Sequence, residues 1–227
     1  MTITLKELAG VIDHTLLRPE ATEQDIVSLC HEARDNGFAA VCINPCYISL
    51  ACRQLEHTPV SACTVIGFPL GASEPLVKAA EAAAAVRAGA SEVDVVMNIG
   101  FFKSGLFHRA QADLEGVVHA VRQENKNIVI KVILETCLLS NDEKVAASRM
   151  AVAAGADFVK TSTGFSYSGA LASDVKLLRQ AVGPGIGVKA AGGIRDLASA
   201  LSMLREGATR IGSSSGVAIL KELKSKI

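Results

Sequence analysis

The sequence carries no net charge: 23 Lys and Arg stand against 23 Asp and Glu in 227 residues. A chain so balanced has no electrostatic basis for holding nucleic acid or an anionic membrane, and neither is expected as a partner. Long apolar runs are missing as well. None approaches the roughly 18 residues that a membrane span needs, and the alanine-rich stretch from Ala79 to Ala90 is interrupted by Glu81 and Arg87. Residues Met1 to Gly10 lack a long apolar core and a small-residue cleavage site, so no secretory leader is expected. Of the cysteines (Cys30, Cys42, Cys46, Cys52, Cys63 and Cys137), no two form a C-x-x-C pair, and no histidine pair has zinc-finger spacing. This argues against a structural zinc site and for reduced, mostly buried thiols in a cytoplasmic protein. No metal and no cofactor are expected. Also absent are a G-x-G-x-x-G fingerprint after the first apolar run, a legible Ser-His-Asp or Cys-His set, and any linker that would divide the chain.

What is present is a cadence. Eight short apolar or β-branched runs each lead into a helical pattern, with anchors at positions 13, 42, 64, 94, 132, 160, 189 and 211 that lie 22 to 38 residues apart. That spacing suits a strand, a loop and a helix of three or four turns. Helix punctuation falls between the runs: Thr22 with a stop at Gly37, Ser73 and Pro75 with a stop at Gly89, a Ser140–Glu143 capping box ending at Gly155, and Asp196 before Gly207. The pattern predicts one (β/α)8 barrel over residues 1–227. The alternative, a doubly wound open sheet, usually shows the glycine fingerprint that is missing here.

In such a barrel chemistry sits at the C-terminal ends of the strands. The charged residues within the runs are Asp13, Asp94, Lys131, Glu135, Lys160, Lys189 and Arg210. Lys160 lies inside the apolar run that starts at Phe158, sharing a strand face with Phe158 and Ser162. Burying an ammonium there is costly, so it needs a partner or is held partly neutral for chemistry. Lys189 is on the next strand, about 4.8 Å away, and both amines can enter one cavity. Mutual repulsion and burial are expected to lower both pKa values, which would make one amine a nucleophile able to form a Schiff base. Lys131 adds to the same field, and Asp94 faces it. A structural Lys–Asp pair explains one lysine and one aspartate, but less readily three lysines set against Asp94, Asp13 and Glu135. Gly164, Gly192, Gly193, Gly212, Ser214 and Ser215 lie in loops after strands 6, 7 and 8. There backbone N–H groups and a helix starting near Ser214 could hold a phosphate, although ordinary tight turns would also use them. His14 reads as a packed strand histidine. Cys42 reads as an apolar filler facing either the cavity or the helices.

The motifs Val159-Lys160-Thr161-Ser162-Thr163-Gly164-Phe165, Val188-Lys189-Ala190-Ala191-Gly192-Gly193-Ile194-Arg195 and Glu92-Val93-Asp94-Val95-Val96-Met97-Asn98, with Ile12-Asp13-His14-Thr15-Leu16-Leu17, Val41-Cys42-Ile43-Asn44-Pro45 and Lys131-Val132-Ile133-Leu134-Glu135-Thr136, together resemble the deoxyribose-phosphate aldolase family. The resemblance runs in order from the first strand to the last. It implies a metal-independent class I aldolase that reversibly cleaves 2-deoxy-D-ribose 5-phosphate to D-glyceraldehyde 3-phosphate and acetaldehyde, in the breakdown of deoxynucleosides. On that resemblance Lys160 is the Schiff-base lysine, Lys189 its perturbing neighbour and Asp94 the proton donor and acceptor. Asp13 and Lys131 are then supporting polar groups, Cys42 lies near the substrate and is open to attack by aldehydes, and the glycine and serine loops hold phosphate. Phe165 stands where some members carry a lysine. A barrel that only binds a sugar phosphate, a phosphosugar isomerase and another Schiff-base aldolase are the alternatives. No outer helix face carries a diagnostic patch, and a homo-oligomer, dimer or tetramer, is expected.

Overall fold

Along each apolar run, residues alternate between a face rich in Val, Ile and Ala and a face carrying polar, charged or small side chains, and in the computed structural model each run is a strand. The structure describes residues 3–226; residues 1, 2 and 227 of the expected barrel lie outside the described residues. The strands are β1 (Ile12–Leu16), β2 (Ala40–Ile43), β3 (Ser61–Ile66), β4 (Glu92–Val96), β5 (Val129–Ile133), β6 (Phe158–Lys160), β7 (Gly187–Ala191) and β8 (Arg210–Ser213). They pair in sequence order and close into a barrel. Every pairing is parallel, and β8 returns to β1 through Ile12↔Ile211, Asp13↔Gly212 and His14↔Ser213. This is the (β/α)8 architecture, and the open doubly wound sheet is excluded.

The helices are α1 (Leu5–Ala9), α2 (Glu23–Asn36), α3 (Ile48–Gln54), α4 (Pro75–Arg87), α5 (Ile99–Lys103), α6 (Phe107–Glu124), α7 (Asn141–Ala153), α8 (Ala172–Val182), α9 (Leu197–Arg205) and α10 (Gly216–Lys224). Four start on the capping boxes that the local chemistry favours: Thr4 with Glu7 on α1, Thr22 with Asp25 on α2, Ser140 with Glu143 on α7, and Asp196 with Ser199 on α9. Helix α4 starts at Pro75 behind Glu74, whose side chain makes no cap bond. Among the described residues no helix is long and apolar enough to cross a membrane.

The two faces of the strands serve different cores. Val41, Ile43, Val93, Val95, Ile130, Val132, Val159, Val188 and Ile211 point outward and join the helices in one apolar cluster. Inside the barrel a second, smaller cluster holds Leu17, Ala40, Cys42, Cys63 and Val65. The interior also holds buried charges: Asp13, Glu92, Asp94, Lys131, Lys160 and Lys189. Such groups remain in an interior only when paired. That pairing builds the site.

Candidate active site

Because side chains alternate along a strand, Asp94 on β4 and Lys160 on β6 face inward while Val95 and Val159 face the helices. Strand register then sets their heights: Asp94 pairs with Lys131, and Lys160 pairs with Lys189. The Oδ2 atom of Asp94 accepts from Lys160 Nζ and from Lys189 Nζ, each at 2.7 Å. Its Oδ1 accepts from Lys131 Nζ at 2.9 Å. Lys189 also donates to Asp13 Oδ2 at 2.5 Å, and Lys131 lies 2.5 Å from Glu92 Oε2. Arg210 donates to Asp13 Oδ1 at 2.6 Å and meets Glu92 at 3.3 Å. One carboxylate thus serves three ammonium groups.

The electrostatics differ from the simplest expectation. Two lysines side by side in a dry interior should both be pushed towards neutrality. Burial does press Lys189 that way, but Asp13 and Asp94 outweigh it and hold its pKa above the ordinary lysine range. Lys131 is likewise raised, because Asp94 and other neighbours overcome the effect of burial. The carboxylates therefore favour the charged form of Lys189, which corrects the expected lowering. Burial would raise the Asp94 carboxyl, yet Lys131, Lys160 and Lys189 together hold it well below the usual carboxylate range. Among the described residues Lys160 differs from the other two amines by contact: it has one carboxylate oxygen, shared with Lys189, while Lys189 touches two carboxylates and Lys131 three.

Lys160 is also the amine at the floor of an open cavity of about 300 Å³; neither Lys131 nor Lys189 lines it. That volume is at the small end of ligand sites, on the scale of a short sugar phosphate. Gly164, Gly192, Gly193, Gly212 and Ser214 line the cavity as expected, but Ser215 does not. Ser215 directly precedes α10, and its N–H donates to Ser213 Oγ at 2.9 Å. Gly164, Gly192 and Gly193 have φ of 87°, 91° and 77°, a left-handed backbone that suits glycine and exposes peptide N–H groups. Gly212 has an additional role, since a Cβ there would lie 3.1 Å from Lys189 Cε and 2.9 Å from Ala191 Cβ.

Cys42 faces inward, its Sγ 4.0 Å from Asp94 Oδ2, and pairs in register with Cys63. The neighbouring Cys63 side chain lowers the Cys42 pKa against the opposing effect of burial. Cys42, Cys63 and Asp94 are close enough to offer a metal three ligand atoms, as are Asp13, Cys63 and Glu92. Both sets are already served by ammonium groups, Lys131 Nζ lying 3.4 Å from Cys63 Sγ and 2.9 Å from Asp94. His14 faces the helices, bonded to Glu32 at 2.6 Å and packed against the Phe38 ring, tilted 44° with centroids 5.0 Å apart. Glu135 is not part of the lysine ring. It lies beyond β5 at φ 57°, and its carboxylate accepts from the Thr163 N–H and hydroxyl, tying down the loop after Lys160.

Sequence reasoning passed over three groups. Glu92 was legible, since it stands two residues before Asp94 and must share its inward face. Arg18 and Arg195, which line the cavity mouth, lie in loops where no periodicity says which way a side chain turns.

Residues 8–223 match the family described as DeoC/LacD family aldolase. Over 223 residues the chain is 51% identical to the deoxyribose-phosphate aldolase of Caldanaerobacter subterraneus subsp. tengcongensis, covering 98% of this chain and 96% of that one. It is 53% identical to the deoxyribose-phosphate aldolase of Enterococcus faecalis over 214 residues, covering 94% and 96%. Among solved structures, the tetrameric deoxyribose phosphate aldolase of Aeropyrum pernix superposes with a TM-score of 0.91 at 37% identity, covering 99% of this chain and 94% of that one.

Proposed function

Because the chain belongs to the DeoC/LacD family of aldolases, we propose that it cleaves 2-deoxy-D-ribose 5-phosphate reversibly to D-glyceraldehyde 3-phosphate and acetaldehyde, with Lys160 as the imine-forming amine. The activity follows from the curated relatives, which are deoxyribose-phosphate aldolases over nearly the whole chain. The assignment of Lys160 rests on one observation: of the interior cations bound to Asp94, it alone meets the cavity.

The chemistry follows from the arrangement. The neutral Lys160 amine adds to the C1 aldehyde of the open-chain sugar and, with loss of water, gives an imine whose cationic form accepts the electrons of the breaking C2–C3 bond. The C3 hydroxyl gives up its proton as glyceraldehyde 3-phosphate leaves. The enamine is then protonated at C2, and water releases acetaldehyde. Asp94 Oδ2 bridges Lys160 and Lys189 by two short bonds, so a proton can pass between the amines or to a water that enters when Lys160 is alkylated. Asp13 and Lys131 hold Lys189 and Asp94 in place. The peptide groups of Gly164, Gly192, Gly193 and Gly212, with the Ser214 hydroxyl, cradle the phosphate, and Arg18 and Arg195 add charge at the mouth. No observation favours the isomerase or the binding-only reading.

Borohydride reduction in the presence of acetaldehyde should leave a two-carbon adduct on Lys160, found by peptide mass spectrometry. Lys160→Leu should abolish both the adduct and aldehyde release in a coupled dehydrogenase assay. Undiminished adduct in that variant refutes the assignment. We also propose a cytoplasmic homo-oligomer. Its support is the free thiols, the tetrameric relative, and the apolar Leu70, Leu76 and Val77 exposed around the start of α4. Light scattering reads the copy number directly.

A further inference from the structure

Two charges of the barrel interior, the buried Glu92 and the partly buried Arg210, touch neither the cavity nor the reacting amine. Glu92 stands two residues before Asp94 on β4, its carboxylate 2.5 Å from Lys131 Nζ and 3.3 Å from Arg210. Arg210 on β8 donates to Asp13, and its guanidinium lies over the Phe158 ring at 5.6 Å. Among the described residues Lys160 meets one carboxylate, Asp94; Glu92 is two contacts from it, through Lys131, and Arg210 is three, through Asp13 and Lys189.

The groups that face Lys160 can be named strand by strand. They are the buried Asp13 on β1, the Cys42 and Cys63 thiols on β2 and β3, Glu92 and Asp94 on β4, Lys131 on β5 and Lys189 on β7, with the partly buried Arg210 on β8. Arg18 and Arg195 stand at the cavity mouth. Among the described residues of this network, four cations (Lys131, Lys160, Lys189 and Arg210) therefore meet three carboxylates (Asp13, Glu92 and Asp94), which leaves one positive charge in excess. An uncompensated charge in a dry interior is costly. Lys160 is the cation of the four with the fewest carboxylate contacts.

We propose that Glu92 and Arg210 are positioning residues of opposite sign that set this excess, and so set the pH at which the Lys160 amine becomes free to form an imine. The inference rests on Lys160 being the imine-forming residue and deepens that reading. Removing the charge of Glu92 raises the excess to two, favours loss of the Lys160 proton and moves the acid limb of imine formation to lower pH. Removing the charge of Arg210 cancels the excess and moves the same limb to higher pH. Charges acting through a protein interior at this remove should shift the limb by about half a pH unit or more.

The test is the rate of acetaldehyde capture on Lys160, quenched with borohydride and read by peptide mass spectrometry across the acid and neutral range. The unsubstituted protein is compared with Glu92→Gln and Arg210→Gln, with Glu92→Asp and Arg210→Lys as charge-retaining variants and circular dichroism as the check on folding. The expected result is opposite displacement in the two neutralised variants and recovery in the two conservative ones. Should one neutralised variant fail to fold, the other still has a required sign. No adduct on Lys160 in the unsubstituted protein overturns the assignment of that lysine and this inference with it. An adduct there, with limbs that stay put or move the same way as a loosened barrel would produce, overturns the inference alone.

Discussion

At position 212 the missing side chain is what leaves room for Lys189 to reach its two carboxylates. A Cβ at that point would press on Ala191 Cβ at 2.9 Å and on Lys189 Cε at 3.1 Å. Its φ is not in the left-handed region, so alanine is excluded by contact and not by backbone strain. Gly212→Ala should therefore displace the Lys189 ammonium from Asp13 and Asp94 while the strand persists. Small misplacements of groups around a reacting centre cost on the order of tenfold to hundredfold in rate. We expect that loss in kcat with little change in KM. A variant whose KM rises while kcat holds would show instead that Gly212 acts as a backbone contact to phosphate. The same residue shows what a sequence conceals: a glycine near a strand end suggests a turn or an anion, and only the packed barrel reveals the lysine behind it. Lys189 itself was misjudged in sign for a similar reason. Its neighbour Lys160 follows from strand order, but the two aspartates that hold its charge come from β1 and β4, on other parts of the barrel wall.

Helices and strands were legible where the signal is local. Thr22, Ser140 and Asp196 each supply a cap that needs only the next three residues, and the eight strands follow from alternation and spacing. The short helices α1 and α5, of five residues each, were not foreseen, because five residues cannot display a helical period. Glu135 was placed on a strand face because apolar neighbours surround it, yet it turns into the left-handed region to bond Thr163, a contact made across strands. Ties between helices are equally hidden. Lys78 on α4 is fully buried and donates to Asp113 on α6 at 2.6 Å and to the Val96 carbonyl, at the end of β4, at 2.7 Å. Lys78→Met would strand Asp113, whose other oxygen already lacks a partner. Breaking a buried pair in this way costs about 3–5 kcal/mol, to be read by denaturant unfolding. The double variant Lys78→Met/Asp113→Leu should recover most of that loss, because the uncompensated carboxylate is then gone. Equal stability in the single and double variants would mean that the pair carries no such burden.

For the molecule as a whole, the interior network links folding to pH. Asp13 and Asp94 titrate lower in the folded chain than in the unfolded one, because the surrounding cations overcome burial. As pH falls through the unfolded-state carboxylate range near 3.9, the unfolded chain takes up protons first and stability drops. The loss is complete only once the folded carboxyls protonate. Lys131 and Lys189 titrate higher when folded, so their contribution is full below the unfolded lysine value of about 10.4 and fades as pH rises through the folded values. Between these limits the contribution of Asp13, Asp94, Lys131 and Lys189 to stability is flat. Asp94→Asn removes one carboxylate from the acid side of that account. Whatever its stability at neutral pH, its unfolding free energy should fall less steeply on acidification, by up to about 1.4 kcal/mol per pH unit for the one proton no longer linked to unfolding. Denaturant titrations of both proteins at several acid pH values measure the two slopes. Identical slopes would mean that Asp94 is not held ionised by its three lysines, and the bridge between Lys160 and Lys189 would lose its charge.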